Sequence, residues 1–531
     1  MKRALLAGLV VLLLIAVAAV LFLPSWASRS TPYVRERILD ALNARFASQV
    51  DVDVLNIDVY PRPEVSGKGL ILRYNGRTDI PPLITIGAFD ASATVRGLFA
   101  RPLHLQHVML EELDIQIPPG GLHPDAPAPE APQPRDRSAP PPRAVATSGS
   151  HDPSSLLIDR IESRRARLQI PSKRVDRLPR IFDIEGLVMD GFGEKRGGRF
   201  HAALVNPVPR GRIETSGSFG PWNTGEPDET PISGEYAFKN ADLNTIKGIG
   251  GILSSVGTYA GVLERVEVEG QTETPDFRID VAGQPVPLTT KFKAIVDGTS
   301  GDTWLDRVEA RLGQSTILAR GAVIRTQAVK GRRVSLDVRL DRARLEDLMR
   351  LAVNTKQPPL TGRVDLATKF LLPAGSGSVI DRLQLDGRFS LAQARFTNVD
   401  VQRKITQLSQ KGRGDEDAIG EGESVVSDLR GHFTLRKARL SFSELTFAVP
   451  GAMVELAGTY DLRGETIDFS GNLLTDASLS DMTKGIKSVF ARLAQPLFKR
   501  PGGGSKLPIR ISGTRSNPSF RLDVRRVFRR G

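Results

Sequence analysis

Val334, Leu336, Val338 and Leu340 alternate with Ser335, Asp337 and Arg339. In an extended chain a period of two puts the apolar set on one side and the polar set on the other. The pattern returns at Phe433 and Leu435, at Leu445, Phe447 and Val449, and at Ile467 and Phe469. One-sided alternation is what an antiparallel strand needs when one face is covered and the other is wet. Fifty glycines and 36 prolines cut the 531-residue chain into many short runs, and only 6% of residues are aromatic. Leu, Val, Ile and Ala must therefore fill most of the interior, and the fold class is expected to be mainly β with a few helices.

The two ends of the chain break this pattern. Ala4 to Leu23 run without a charge, about 30 Å of helix at ~1.5 Å per residue, which matches a bilayer's hydrocarbon core. Lys2 and Arg3 precede the run and favour a cytoplasmic N-terminus with the body exported, whereas Arg29, Arg35 and Arg37 beyond it weaken that vote. A single-pass transmembrane helix is expected. The competing reading is a cleaved signal peptide, since Ser25-Trp26-Ala27 has small residues flanking one large one. The formal net charge of +13 suits anionic partners such as lipid head groups, but the cations are scattered and read mainly as solvated surface. Arg521, Arg525, Arg526, Arg529 and Arg530 are the exception.

Along the chain, Thr31-Pro32 reads as a helix start, followed by an apolar stripe of Val34, Ile38, Leu42 and Phe46. Val50, Val52 and Val54 then alternate until the phase slips at Leu55 and resumes with Ile57, which suggests a β-bulge or a bend. Short strands are expected around 83–86, 91–95, 103–105 and 113–117. Residues 118–155 are dense in Pro, Ala and Ser and poor in large apolar groups, the composition of a linker without a core. Helices are expected at Leu345–Ala352, at Leu479–Leu497 and, despite four glycines, over Asp242–Tyr259. GQTETPDFRIDV (270–281) and GTRSNPSFRLDV (513–524) share their Gly, Pro, Phe, Arg, Asp and Val positions, which predicts two copies of a helix–strand–turn–strand module.

Searches for chemistry return little. Cysteine is absent, which removes disulfides, thiolate nucleophiles and Cys-ligated metals. His104 and His107 lie in a strand-like run, where residues three apart are expected on opposite faces. GGGSK (502–506) continues into Leu507 and lacks the spacing of a phosphate loop, and no GxSxG elbow occurs. The expectation is a non-enzyme with no cofactor, no metal site and no nucleic-acid partner.

Several segments carry a resemblance: PPLITIGAFDASATVRGLFARPLHLQHVMLEELDIQIPP (81–119), TSGSFGPWNT (215–224), PISGEYAFKNADL (231–243) and KFKAIVDGTSGDTWLDRVEARLGQSTILARGAV (291–323). With the anchor, these resemble the AsmA-like family of Gram-negative envelope proteins over nearly the whole chain. That family is similar to the bridge-like lipid transfer proteins. The chain departs from it in the Pro-rich insertion.

The resemblance implies an elongated, curled antiparallel sheet forming a hydrophobic groove, and no catalytic residues or cofactors. With the Pro-rich linker read from composition (118–155), it divides the chain into an anchor (1–30), an N-terminal helix and strands (31–117) and a β-rich region (156–531). It also implies an inner-membrane protein, single-pass, with a periplasmic body. Lipid, phospholipid first, would be its cargo, and outer-membrane biogenesis its process. Its partners would be the inner membrane through residues 4–23, phospholipid or another acyl lipid, and other envelope proteins. The alternative is a scaffold that assists outer-membrane protein insertion without carrying lipid.

A groove lined by aliphatic and phenyl groups would hold acyl chains at ~0.8 kcal/mol per buried methylene. The groove candidates are Phe277, Ile279, Val281, Val334, Leu336, Val338, Leu340, Phe433, Leu435, Leu445, Phe447, Val449, Ile467, Phe469, Phe520 and Leu522.

Overall fold

The computed structural model describes the chain from Val50 to Asp523, and before that only Glu36, Ile38 and Asp40. Within that span it leaves out residues 59–62, 74–77, 79–80, 117–155, 171–179, 194–196, 222–228, 280–283, 299, 327–328, 330, 353–356, 415–424, 479–502 and 515–516. The apolar N-terminal run, the Pro-rich segment and the helix expected over 479–497 therefore lie outside the described residues. Glu36, Ile38 and Asp40 are helical, with Ile38 buried, where the stripe after Thr31-Pro32 places a helix. No described helix is long and apolar enough to cross a membrane.

The described chain is mainly β, and its strands pair almost entirely antiparallel. It forms two compact units. The first comprises residues 1–241, 254–269 and 296–301, the second 242–253, 270–295 and 302–531.

The first unit opens with strands β1 (Val50–Asp58), β2 (Glu64–Leu72) and β3 (Ile84–Ala93), then helix α1 (Val95–Phe99) and strand β4 (Leu103–Gln116). After the linker come β5 (Leu156–Ser163), β6 (Ala166–Ile170), β7 (Arg180–Phe192), β8 (Gly198–Pro207), β9 (Arg210–Phe219) and β10 (Ile232–Asp242). Strands β1 to β4 form an antiparallel meander. β5 and β6 then run parallel to β4 along successive parts of its length. A parallel neighbour needs a long crossover, and residues 117–155 supply the length. Where two strands were expected between 83 and 95 the structure has one, ending at Ala93. Thr94 then caps α1 by accepting the Gly97 N–H at 2.9 Å, which turns Val95 into a helical residue. The two short runs at 103–105 and 113–117 are likewise the single strand β4.

No residue is inserted at the phase slip near Leu55. Val52 pairs with Leu70 and Val54 with Lys68, so the register holds while the pair Asp53–Gly69 between them is skipped. The same row is skipped at Gly69–Gly87 and again at Gly87–Glu112. Core-facing positions change parity there in all four strands: Val65 and Gly67 give way to Leu70 and Leu72, and Val108 to Leu113. Gly69 (φ 67°) and Glu112 (φ 54°) take left-handed backbone at this crease. The side chains so directed, with fully buried Leu98 of α1, build a closed core that includes Val65, Leu103 and Phe219.

The second unit holds β11 (Ile249–Gly250) and β14 (Val286–Val296). Between them, β12 (Ile252–Val262) and β13 (Arg265–Ile279) begin on one side of the division and end on the other. Asp242–Tyr259 is therefore not one helix: a 3-10 turn at Leu243–Thr245 and a turn through Ile246–Gly248 lead into strand from Ile249, broken by a bend at Gly251. Gly248 and Gly251 take positive φ there, which a helix interior would not allow. The two repeat-like segments also part company. Residues 270–279 of the first lie within β13 with Pro275 inside the strand, whereas in the second Thr514 and Asn517 exchange backbone hydrogen bonds between β24 and β25. Shared residue spacing did not carry a shared conformation.

An antiparallel meander fills the rest of the unit: β15 (Thr303–Leu312), β16 (Ser315–Arg325), β17 (Arg332–Arg344), β18 (Leu360–Leu372), β19 (Gln384–Phe396), β20 (Ser427–Arg436), β21 (Arg439–Val449), β22 (Ala452–Asp461), β23 (Thr466–Thr475), β24 (Ser505–Thr514) and β25 (Pro518–Leu522). The expected helix α2 (Leu345–Ala352) follows β17. α3 (Val379–Arg382) lies between β18 and β19, and α4 (Val399–Arg413) follows β19. α2 and α4 thus leave the meander at the same end of its strands. That end is sealed by Leu340, Ala343, Val364, Leu391 and Ala394, on which Leu345, Leu348 and Met349 of α2 pack. Extra residues in β17 and β19 bend the sheet there, and Asp365 accepts the Arg342 N–H at 2.6 Å while Asp428 accepts that of Gln393 at 3.1 Å.

Buried Asp347 fastens α2 to the β15–β16 turn, accepting the Gln314 N–H at 3.0 Å and the Ser315 hydroxyl at 2.8 Å. Asp347→Ala removes the acceptor of the Gln314 N–H and leaves the Ser315 hydroxyl the more distant Arg344 carbonyl at 3.4 Å, and should cost about 1–3 kcal/mol. The expected readout is faster amide exchange across α2, with the central strands of the meander unaffected.

Candidate apolar binding face

Register lines the meander's apolar residues into rows that cross strand after strand. One row runs Val364, Leu391, Leu429, Phe447, Val454, Leu473 and Leu507. Further from the helical end, Leu340, Leu366 and Phe389 lead past Gly431 to Leu445 and Leu456. The next row brings Phe433 opposite Phe442, then Gly458 and Phe469.

Four phenylalanines meet here. Ring centroids are 6.2 Å apart for Phe389–Phe433, 6.3 Å for Phe389–Phe442 in an edge-to-face arrangement, and 5.8 Å for Phe442–Phe469. Glycines make the room. A Cβ on Gly431 would come within 3.2 Å of the Phe389 ring, and one on Gly458 within 2.8 Å of the Phe469 ring.

Burial falls along the strands. Leu340, Val364 and Leu391 are buried near the helical end, whereas Leu336, Phe370, Leu385, Phe389, Phe433, Phe442 and Phe469 are only half-buried. The reverse side is wet and polar, with Arg320–Asp337 ion-paired at 3.4 Å, Arg510–Asp468 at 3.1 Å, and His432 hydrogen-bonded to Asp386 at 2.9 Å. Exposed pairs of this kind hold little energy. Their effect is to settle which face is polar.

Most sequence candidates fall on this face. Val334, Leu336, Val338, Leu445, Phe447 and Ile467 stand half-buried with the phenylalanines, and Leu340, Leu435 and Val449 are buried. Phe277 and Ile279 are half-buried on β13, where Ile279 pairs with Ile249 and not with the meander. Val281 and the Phe520 side chain lie outside the described residues. Leu522, paired through its backbone with Ile509, is 56% exposed.

Phe442 and Phe389 were missed. In Phe442-Ser443-Glu444-Leu445 a bulge adds a residue to β21, so Phe442 and Leu445 face the same way although their spacing says otherwise. A Phe either side of two polar residues was the available signal.

A bulge also corrects the histidine pair. One extra residue in β4, between Leu105 and His107, puts both imidazoles on the polar face, away from buried Leu103, Leu105 and Val108. They meet different carboxylates, His104 with Asp159 at 2.7 Å and His107 with Glu162 at 3.7 Å. Arg160 donates to Glu162 at 2.6 Å, and this hydrogen bond holds the Glu162 carboxyl below its ordinary range. Among the described residues, no three His, Asp or Glu side chains gather to hold a metal.

No family model, curated protein or solved structure matches the chain. Fold and site define it by architecture: a mainly β protein whose second unit carries a broad, half-open apolar sheet face.

Proposed function

We propose that this is a non-catalytic carrier of acyl lipids, phospholipid first, that moves them between membranes and serves outer-membrane biogenesis. Residues 4–23 would tether it to the inner membrane, with the body in the periplasm, as the AsmA-like resemblance implies. One observation carries the reading: the phenylalanine-centred rows of the meander remain half-exposed and continuous across many strands. Contiguous apolar surface of this kind is costly in water and marks a place where something apolar binds. Acyl chains suit it because the rows offer area without hydrogen-bonding groups.

The test is lipid occupancy. The full chain, extracted in mild detergent and washed extensively, is expected to release phospholipid to mass spectrometry in near-stoichiometric amount. Protein free of lipid, and cross-linked to an outer-membrane assembly machine, would favour the scaffold reading. The closed core of the first unit is the observation that suits a scaffold.

A further inference from the structure

Within the first unit, the face that carries the core residue Phe219 changes character on β9, β10 and β12. Thr215, two positions from Gly217 and four from Phe219, pairs across the sheet with buried Ala202. It is joined by Tyr236, Ser255 and Tyr259. Tyr259 Oη and Thr215 Oγ1 are 2.7 Å apart, and Tyr236 Oη and Ser255 Oγ are 3.1 Å apart. The charges of these strands turn the other way, with Lys239 bound to Glu214 at 2.8 Å. Four hydroxyls thus form an uncharged polar cluster on this face.

The direction of the hydrogen bonds says what the cluster can take. Thr215 donates to the Glu235 carbonyl at 2.8 Å, so its proton is used and the Tyr259 hydroxyl donates to it. The Tyr259 oxygen keeps its lone pairs, which can accept one more proton donor. Burial raises both the Tyr236 and Tyr259 phenols above their ordinary range, so each stays neutral well into alkaline solution. A Cβ on Gly234 would approach Tyr259 Oη to 2.8 Å, so only glycine leaves that oxygen its place.

We infer that the Thr215–Tyr236–Ser255–Tyr259 cluster is a subsite for the neutral, hydroxyl-bearing head of a lipid, with Tyr259 Oη accepting its O–H. This rests on the carrier reading and adds a preference to it: a lipid with a free hydroxyl over one of equal chain length capped as an ester.

The experiment uses two photoactivatable probes with the same acyl chain, a monoacylglycerol and a fatty-acid methyl ester, on the full chain in detergent. Wild-type protein should capture the monoacylglycerol better. Tyr259→Phe keeps the ring and removes the acceptor, and should lower monoacylglycerol capture about fivefold to tenfold, the effect of one lost hydrogen bond. Ester capture should not change. Equal losses for both probes, or no loss for either, would overturn the subsite while leaving the carrier intact. If wild-type protein captures neither probe, the carrier reading and the subsite fall together.

Discussion

Phe442→Asp is expected to strip the protein of co-purifying lipid, lowering bound phospholipid at least tenfold while the β-strand circular dichroism stays unchanged. Phe442 touches both Phe389 and Phe469, so it links the rings on either side of it. A carboxylate there has no cation among its apolar neighbours, and transferring acyl chains onto an ionised group costs several kcal/mol. The ring is only half-buried, so much of its surface is already wet in the unliganded sheet and the fold should tolerate the change. Phe442→Leu is the control and should retain most of the lipid. Unaltered lipid content in the Asp variant would show that the rows are not where lipid sits.

Leu98→Ala should be the most destabilising simple truncation, at about 3–5 kcal/mol. Leu98 is completely inaccessible, held in the core of the first unit by a helix of one and a half turns. So short a helix cannot slide inward to fill the cavity, because Thr94 and Ala100 fix both of its ends. Hydrogen exchange should show lost protection in β3 and β4. Leu522→Ala, at an exposed position on the last strand, should be near neutral. Equal effects at the two sites would contradict the burial on which the first unit is built.

What could be read from the residues was set by period and sign. Val334–Leu340 faces one way because alternation with Ser335, Asp337 and Arg339 has a single solution. α2 was legible because Leu345, Leu348 and Met349 share a helical face. Residues beside a bulge were not legible. Phe442 stands just before an inserted residue and His107 just after one, and nothing local states whether the chain absorbs it as a bulge or as a turn. α4 was missed for another reason. It packs through Ser409 and Gly412 on the β21–β22 turn, with Val399 left 69% exposed, so its apolar period is faint. Its cap residues, Asn398 and Gly414, were the better clue. The expected helix over Asp242–Tyr259 gives way to strand because Gly248 and Gly251 take positive φ and turn the chain between short extended runs.

Strands β1 to β4 are stitched along Asp53, Gly69, Gly87 and Glu112 like a sheet of paper scored once before folding. Because inside and outside trade places on the same line in every layer, no strand can gain or lose a residue there alone. A one-residue deletion in β2 would turn half of that strand's oily groups outward while its neighbours stayed correct. Change at this line must therefore be concerted, and the four positions should behave as one thermodynamic unit.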